Sequence, residues 1–391
     1  MMALDGLKML DLTRLLPGGY CSMLLADLGM EVLKVEDPFQ GDYFRQMKPL
    51  HKEEGAYFLG INRNKKSMHL NLKTPEGKKI FFELAERYDV ILEGFRPGVA
   101  ERLGIGYPAI RGVNSRVIYC SISGYGQDGP YRERSGHDIN YIALAGLLAI
   151  SGEKFKPPTI PAVPIADIGV GGVMSAFAIL AALIARERTG SGQYIDISMT
   201  DGMLSWLCMH MAKFFCDGDP PKRGEYEMGG ASPYYNVYET LDSKYISIGI
   251  LEPKFWSNFC EALGREDLIP KQFSEGKERS LLFDEIRKII RTKTRQEWEI
   301  FFKDIDACFE PVLEFDEVIS HPQFLYREMF KEIGHPVEGR IKQIGFPIKF
   351  SETPGEIRTP PPRPGEHTEL ILHSIGYSQD EINRFKKKIV I

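Results

Sequence analysis

Leu7-Lys8-Met9-Leu10-Asp11-Leu12 reads as a buried strand. A Pro17-Gly18-Gly19 turn follows, then a helix from Tyr20 closed by Gly29, then a second strand, Glu31-Val32-Leu33-Lys34-Val35-Glu36. Strand, helix and strand in that order make a βαβ unit. Two strands joined through a helix lie parallel, so a parallel sheet is implied. Thr74 before Pro75 starts another helix, to about Arg87, because threonine caps free N–H groups and proline suits the first turn. Asp89 to Leu92, Arg116 to Ser121 and Gln193 to Ser198 supply further strands, with a short helix near 98–103. The first 190 residues therefore predict an α/β domain with a Rossmann-like sheet.

Beyond Ser198 the pattern changes. An apolar helix is expected over 201–216. A Gly/Pro-rich linker covers 217–233, and a smaller α/β region covers 234–318, with a strand at 244–250 and helices near 253–263, 280–290 and 295–303. Residues 319–364 read as a return linker. Its Pro354–Pro364 end, five prolines in eleven residues, forms an extended tether. Residues 365–391 carry two helices that rejoin the large domain, which spans 1–216.

Composition bounds the function. Among 391 residues, 43% are hydrophobic and 26% charged, as in a soluble globular protein. The net charge of −5, with no basic run interleaved with aromatics, argues against nucleic acid. The six cysteines form no CxxC pair, and free thiols in a reducing cytoplasm are expected. No signal peptide opens the chain. Ile165 to Ala185 approaches the length of a membrane span, but Asp167 and glycines interrupt it. It reads as a buried helix, with no membrane partner.

No GxGxxG follows the first strand. Walker A, HExxH, GxSxG and paired Cys/His spacings are also absent, so no metal or bound cofactor is expected. Cations fall instead at strand ends and loops: Arg14, Lys34, Arg45, Arg63, Lys65, Lys66 and Arg96. Each alone is explained as solvated surface. Together, at βα turns, they suit an anionic ligand such as a nucleotide-bearing carrier.

Two proton-accepting groups stand out. His137, in Ser135-Gly136-His137-Asp138-Ile139-Asn140-Tyr141, opens an apolar helix expected over 139–150. Asp167 opens another, with Gly169, Gly171 and Gly172 behind it. Either residue alone is explained as a helix cap. Three glycines in one helical turn suggest close approach of a ligand or another backbone. Free N–H groups near Asp167 are candidates for holding a developing oxyanion.

In many ordered segments the chain resembles the family III CoA-transferases (the CaiB/BaiF superfamily). These include Leu24-Leu25-Ala26-Asp27-Leu28-Gly29, Val35-Glu36-Asp37-Pro38, Glu93-Gly94-Phe95-Arg96-Pro97-Gly98, Ser123-Gly124-Tyr125-Gly126 and Gly365-Glu366-His367-Thr368. A narrower resemblance, to the α-methylacyl-CoA racemases, rests on Gly136 to Tyr141, on Ala166-Asp167, and on Glu252 in Ile250-Leu251-Glu252-Pro253. Gly18-Gly19 departs from the Gly-Pro common among relatives. The resemblance implies that His137 and Asp167 are two bases, that Glu252 pairs with His137, and that 2-methylacyl-CoA thioesters are racemised through an enolate. CoA would then enter as part of the substrate, bound in the large domain by Arg14, Lys34, Arg45, Arg63, Lys66 and Arg96. It also implies an interlocked homodimer. The alternative is CoA transfer between carboxylic acids, with Asp167 forming an acyl anhydride. The Met and aromatic residues of 203–215 are expected either to line an acyl pocket or to pack as core.

Overall fold

The computed structural model describes Met1 to Ile391. The chain forms two units. The first comprises Met1–Ala145, Pro161–Trp206 and Pro322–Ile391; the second comprises Gly146–Ile160 and Leu207–His321.

Six strands form the sheet of the first unit: β1 (Lys8–Asp11), β2 (Glu31–Glu36), β3 (Lys65–His69), β4 (Val90–Glu93), β5 (Ile118–Ser123) and β6 (Gln193–Ser198). Their order is β3-β2-β1-β4-β5-β6, every neighbouring pair being parallel. The parallel α/β reading is correct. The sequence reading missed β3, whose Lys65-Lys66-Ser67-Met68-His69 lacks the apolar run of a buried strand. Strand order reverses between β1 and β4. Open parallel sheets bind ligands beyond the carboxyl ends at such a point.

Leu10, Leu33, Ile91 and Tyr119 pack beneath the helix Pro75–Ala85, which adds Ile80, Phe81 and Leu84. Thr74 caps that helix, its Oγ1 accepting from the Gly77 N–H at 3.0 Å. The C-terminal helices Thr368–Ser374 and Gln379–Lys387 deliver Ile371, Leu372 and Ile382 to the same core.

Several boundaries move for local reasons. Pro17 and the two glycines lie inside the helix Leu16–Asp27, so the expected turn is its first turn. The helix after His137 stops at Leu144, because Gly146 turns left-handed at φ 97°. The helix expected over 201–216 is two, Met199–Trp206 and Cys208–Asp217, with the boundary between units at Leu207. Within 319–364 the chain builds a hairpin, β10 (Phe330–His335) and β11 (Gly339–Ile344). The buried Glu338 carboxylate at its tip accepts from the N–H groups of Lys52, Glu53 and Glu54 at 2.6–3.2 Å. The proline-rich segment is likewise stitched down: Asn64 Oδ1 accepts from the N–H groups of Arg358 and Thr359 at 2.7 and 2.9 Å.

Ala166–Thr189 is one continuous helix, long and apolar enough to cross a membrane by length and composition. Ala166, Val170, Ile179 and Leu183 are buried in the unit, while Val173, Phe177 and Ile184 are exposed. The helix expected to be buried thus has one face covered and Val173, Phe177 and Ile184 exposed.

The second unit carries an antiparallel sheet, β7 (Tyr235–Glu239), β8 (Tyr245–Gly249) and β9 (Phe309–Pro311). The helices Pro253–Ala262, Gly276–Ile290 and Arg295–Phe302 accompany it. Its core is aromatic: Phe259 stacks on Trp256 at 5.6 Å and on Phe302 at 5.4 Å. The buried indole N–H groups of Trp256 and Trp298 donate to the carbonyls of Leu268 and Ile290, which removes the cost of burying them. All six cysteines are free; Cys21, Cys120 and Cys260 are buried, and Cys208, Cys216 and Cys308 are exposed.

Candidate active site

Beyond the carboxyl ends of β4 and β5 lies a cavity of about 730 Å³. His137 and Asp167 both line it, with Arg14, Arg96, Arg132, Arg134 and Tyr141. His137 is the exposed residue before the helix Asp138–Leu144; its N–H donates to Asn140 Oδ1 at 3.0 Å. Tyr141 closes the back of the turn by donating its hydroxyl to the Gly136 carbonyl at 2.5 Å. A Cβ at Gly136 or at Gly124 would meet the Tyr141 ring within 2.7 Å, so both positions need glycine.

Asp167 stands in the first turn of Ala166–Met174, which is π-helical. Such wide turns are rare and recur at functional sites. One carboxylate oxygen, Asp138 Oδ1, accepts from the N–H groups of Ala166 at 2.6 Å and Asp167 at 3.1 Å. The next N–H, of Ile168, donates to the Pro164 carbonyl. These donors are therefore engaged, which corrects the expectation that they stand free for an oxyanion. The Asp167 carboxyl is pushed up to about 7, first by burial and then by the Asp138 charge. A group at that value gives and takes protons near neutrality with equal ease.

The glycines behind Asp167 answer to protein. A Cβ on Gly169 would lie 2.0 Å from the Trp206 ring; Gly171 faces Pro17 and Gly172 faces Tyr20. The close approach is by neighbouring helices, which seat the π-helical turn. We expect Gly169→Ala to cost about 1–3 kcal/mol by overpacking, read as a lowered thermal midpoint.

A second cavity of about 640 Å³ spreads beyond the ends of β1 and β2, and shares Arg14, Leu15, Gly94, Phe95 and Arg96 with the first. Its apolar wall is Leu12, Val35, Leu70, Leu72 and Phe95. Leu15 adopts φ 64°, ψ −155°, a strained conformation for a branched side chain. Asp42 holds it there, accepting from the Leu15 N–H at 3.2 Å. Glu93, buried and pushed up to about 7 by that burial, accepts from the Phe95 N–H at 2.6 Å and fixes the loop that carries Arg96.

The cations expected to bind an anion divide sharply. Arg14 and Arg96 line both cavities; Arg14 donates only to the Tyr43 hydroxyl, and Arg96 is exposed. Lys34 is fully buried, paired with Asp42 at 2.9 Å and bonded to the Thr13 carbonyl. Arg45 is locked on Glu36 and Glu54. Arg63 is locked on Asp27 and the Ile344 carbonyl. Lys65 donates to Gly19 and Asn62. Lys66 pairs with Glu31 and lines a different cavity, beside the starts of β1 and β2. Four of these seven cations are structural, and the sequence reading passed over Arg132 and Arg134.

The family model for CoA-transferase family III matches residues 4–368. The chain belongs to that family. It is 34% identical over 400 residues to the human alpha-methylacyl-CoA racemase, covering 100% of this chain and 98% of that protein. To an acyl-CoA transferase of Fusarium pseudograminearum it is 35% identical over 410 residues, covering 100% and 88%. To the mouse succinyl-CoA:glutarate CoA-transferase it is 34% identical, covering 96% and 87%. A crystal structure of a CAIB/BAIF family protein from Brucella suis superposes with a TM-score of 0.84 at 31% identity, covering 96% of this chain and 99% of that one.

Within this family III chain, Glu252 belongs to the second unit. It precedes the helix Pro253–Ala262, its side chain is exposed, and its carbonyl accepts from the N–H groups of Phe255 and Trp256. The apolar residues of 203–215 also divide: Met203 is buried core, Trp206 covers Gly169, and Met209 and Phe215 are exposed.

Proposed function

We propose that this family III enzyme is a racemase of 2-methylacyl-CoA thioesters, working by proton transfer between two bases. The observation that carries the reading is His137 lining one cavity with a half-buried Asp167 whose carboxyl sits near 7. Inversion needs a base on one face of the α-carbon and an acid on the other. One base takes the α-proton, the C–H electron pair moves into the thioester carbonyl, and the conjugate acid of the other returns a proton to the opposite face. A thioester nucleophile, by contrast, must be a carboxylate. Burial of Asp167 favours the protonated form, which the two-base scheme uses as the acid in one direction and the nucleophile never uses.

The negative charge that develops on the thioester oxygen needs a donor. The N–H groups opening the Asp167 helix are taken, so we assign this to the first turn of Leu16–Asp27. Of the residues of that turn lining the cavity, Leu15 has its N–H on Asp42 and Pro17 has none, so the Leu16 N–H is the donor. Arg14 and Arg96, at the junction of the two cavities, suit the diphosphate of CoA, and the apolar wall of the second cavity suits its base. Glu252 as the partner of His137, and two interlocked chains as the assembly, remain part of the proposal by resemblance.

Incubation of a 2-methylacyl-CoA in heavy water tests this reading. We expect deuterium at C2, loss of optical activity, no CoA passed to added carboxylic acids and no adduct trapped by hydroxylamine. CoA transfer with Asp167 converted to its hydroxamate by hydroxylamine, which displaces the acyl carboxylate of the anhydride, and no deuterium at C2, would make the enzyme a transferase.

A further inference from the structure

We infer that Asp138 is a positioning residue: through one carboxylate oxygen it locks the start of the Asp167 helix to the start of the His137 helix, and so fixes both groups around one cavity. The inference rests on the proposed roles of His137 and Asp167, but it reads a contact that neither role requires. Asp138 follows His137 directly, so its backbone moves with the imidazole. Its Oδ1 takes two consecutive N–H groups, those of Ala166 and of Asp167 itself. A bond to the main chain of the base leaves that residue's carboxylate free to react. The two segments lie 28 and 29 residues apart in the chain, and a misplacement of ~1 Å between catalytic groups can cost ~10²-fold in rate.

The same carboxylate does electrostatic work. The elements packed against the π-helical turn carry His137, Asp138 and Tyr141, then Tyr20, Cys21 and Asp27 of Leu16–Asp27, Asp201 of Met199–Trp206, Tyr194 and Asp196 of β6, and Arg186, Glu187 and Arg188 of Ser175–Thr189. Arg14, Arg96, Arg132 and Arg134 face the shared cavity. Among all of these, Asp138 is the charge that acts on Asp167, and it favours the protonated form. Removing that charge while keeping the oxygen acceptor separates the two roles.

The experiment compares wild type, Asp138→Asn and Asp138→Ala in deuterium uptake at C2 of each enantiomer, as a function of pH. Asparagine keeps a carbonyl oxygen for both N–H groups, so its maximal rate should stay within roughly 10-fold of wild type. Its profile, for the enantiomer whose exchange Asp167→Asn abolishes, should move its acidic limb to lower pH. Alanine removes the acceptor; its kcat should fall about 10²-fold with KM unchanged. Should Asp138→Ala fail to fold, the limb of Asp138→Asn decides alone. An unmoved limb in Asp138→Asn, or a wild-type kcat in Asp138→Ala, overturns the inference. If wild type transfers CoA and incorporates no deuterium, the racemase reading fails separately. The same limb is then read on the transfer rate, where Asp167 must also be deprotonated.

Discussion

His137→Ala is expected to abolish interconversion of 2R and 2S thioesters, lowering the rate by roughly 10²–10⁴-fold, the usual worth of a positioned proton-transfer group. Asp167→Asn should do the same. Each variant should still exchange the α-proton of one enantiomer with solvent, because the surviving base serves one face. The two should exchange opposite enantiomers, and chiral analysis after incubation in heavy water reads this directly. Full racemisation by either variant would end the two-base scheme. Asp167→Asn also has a stability signature. Burial raises the Asp167 carboxyl from 3.8 to about 7 in the folded chain. A raised carboxyl binds its proton more tightly when folded, so its contribution to stability is full below pH 3.8 and is lost as pH rises through 7. Above pH 7 the wild type therefore keeps an uncomfortable buried charge that asparagine lacks. Asp167→Asn should melt higher than wild type at pH 8, and the difference should vanish near pH 4. An inactive variant that melts higher cannot owe its inactivity to unfolding.

Five of the sheet's six strands, all but β3, were legible because their signals are local. Apolar runs of four to six residues, separated by helices with readable starts such as Thr74-Pro75, leave few alternatives. The β10–β11 hairpin was not, because its exposed face alternates weakly and its anchor, Glu338, bonds to residues nearly three hundred positions away. Within the site, residue type identified the bases but not their surroundings. A sequence shows that Asp138 follows His137; it does not show that its carboxylate reaches Ala166 and Asp167. Lys34 is a different case: the sequence reading assigned it to CoA, although its neighbours carried a signal against that role. It sits between Leu33 and Val35 in a strand buried on both faces, where a cation must be paired. A lysine so placed has its charge committed inside the protein and is a poor candidate for holding a ligand's phosphate.

The same distinction between paired and open cations gives a contrast of large effect. Arg96→Ala should leave the thermal midpoint within error and raise KM for an acyl-CoA about 10–100-fold, since a hydrogen bond to a charged group is worth ~1.5–3 kcal/mol. Arg14→Ala should behave alike, for Arg14 pairs with no carboxylate and meets only Tyr43, through its hydroxyl and its ring. Arg63→Ala should do the reverse. Its guanidinium neutralises Asp27, which is buried and bound to Arg63 at 2.7 Å and to Asn64 at 2.8 Å. Burial already pushes the Asp27 carboxyl up, and Arg63 opposes that push. Without the guanidinium, the carboxylate is stranded in the core and the Ile344 carbonyl loses its donor. Breaking such a pair from one side costs about 3–5 kcal/mol, visible in a urea or thermal melt, while KM of the surviving folded fraction should stay near wild type. A KM effect at Arg63 without a stability loss would place the anion at Arg63, and a stability loss at Arg96 without a KM effect would remove Arg96 from the anion site.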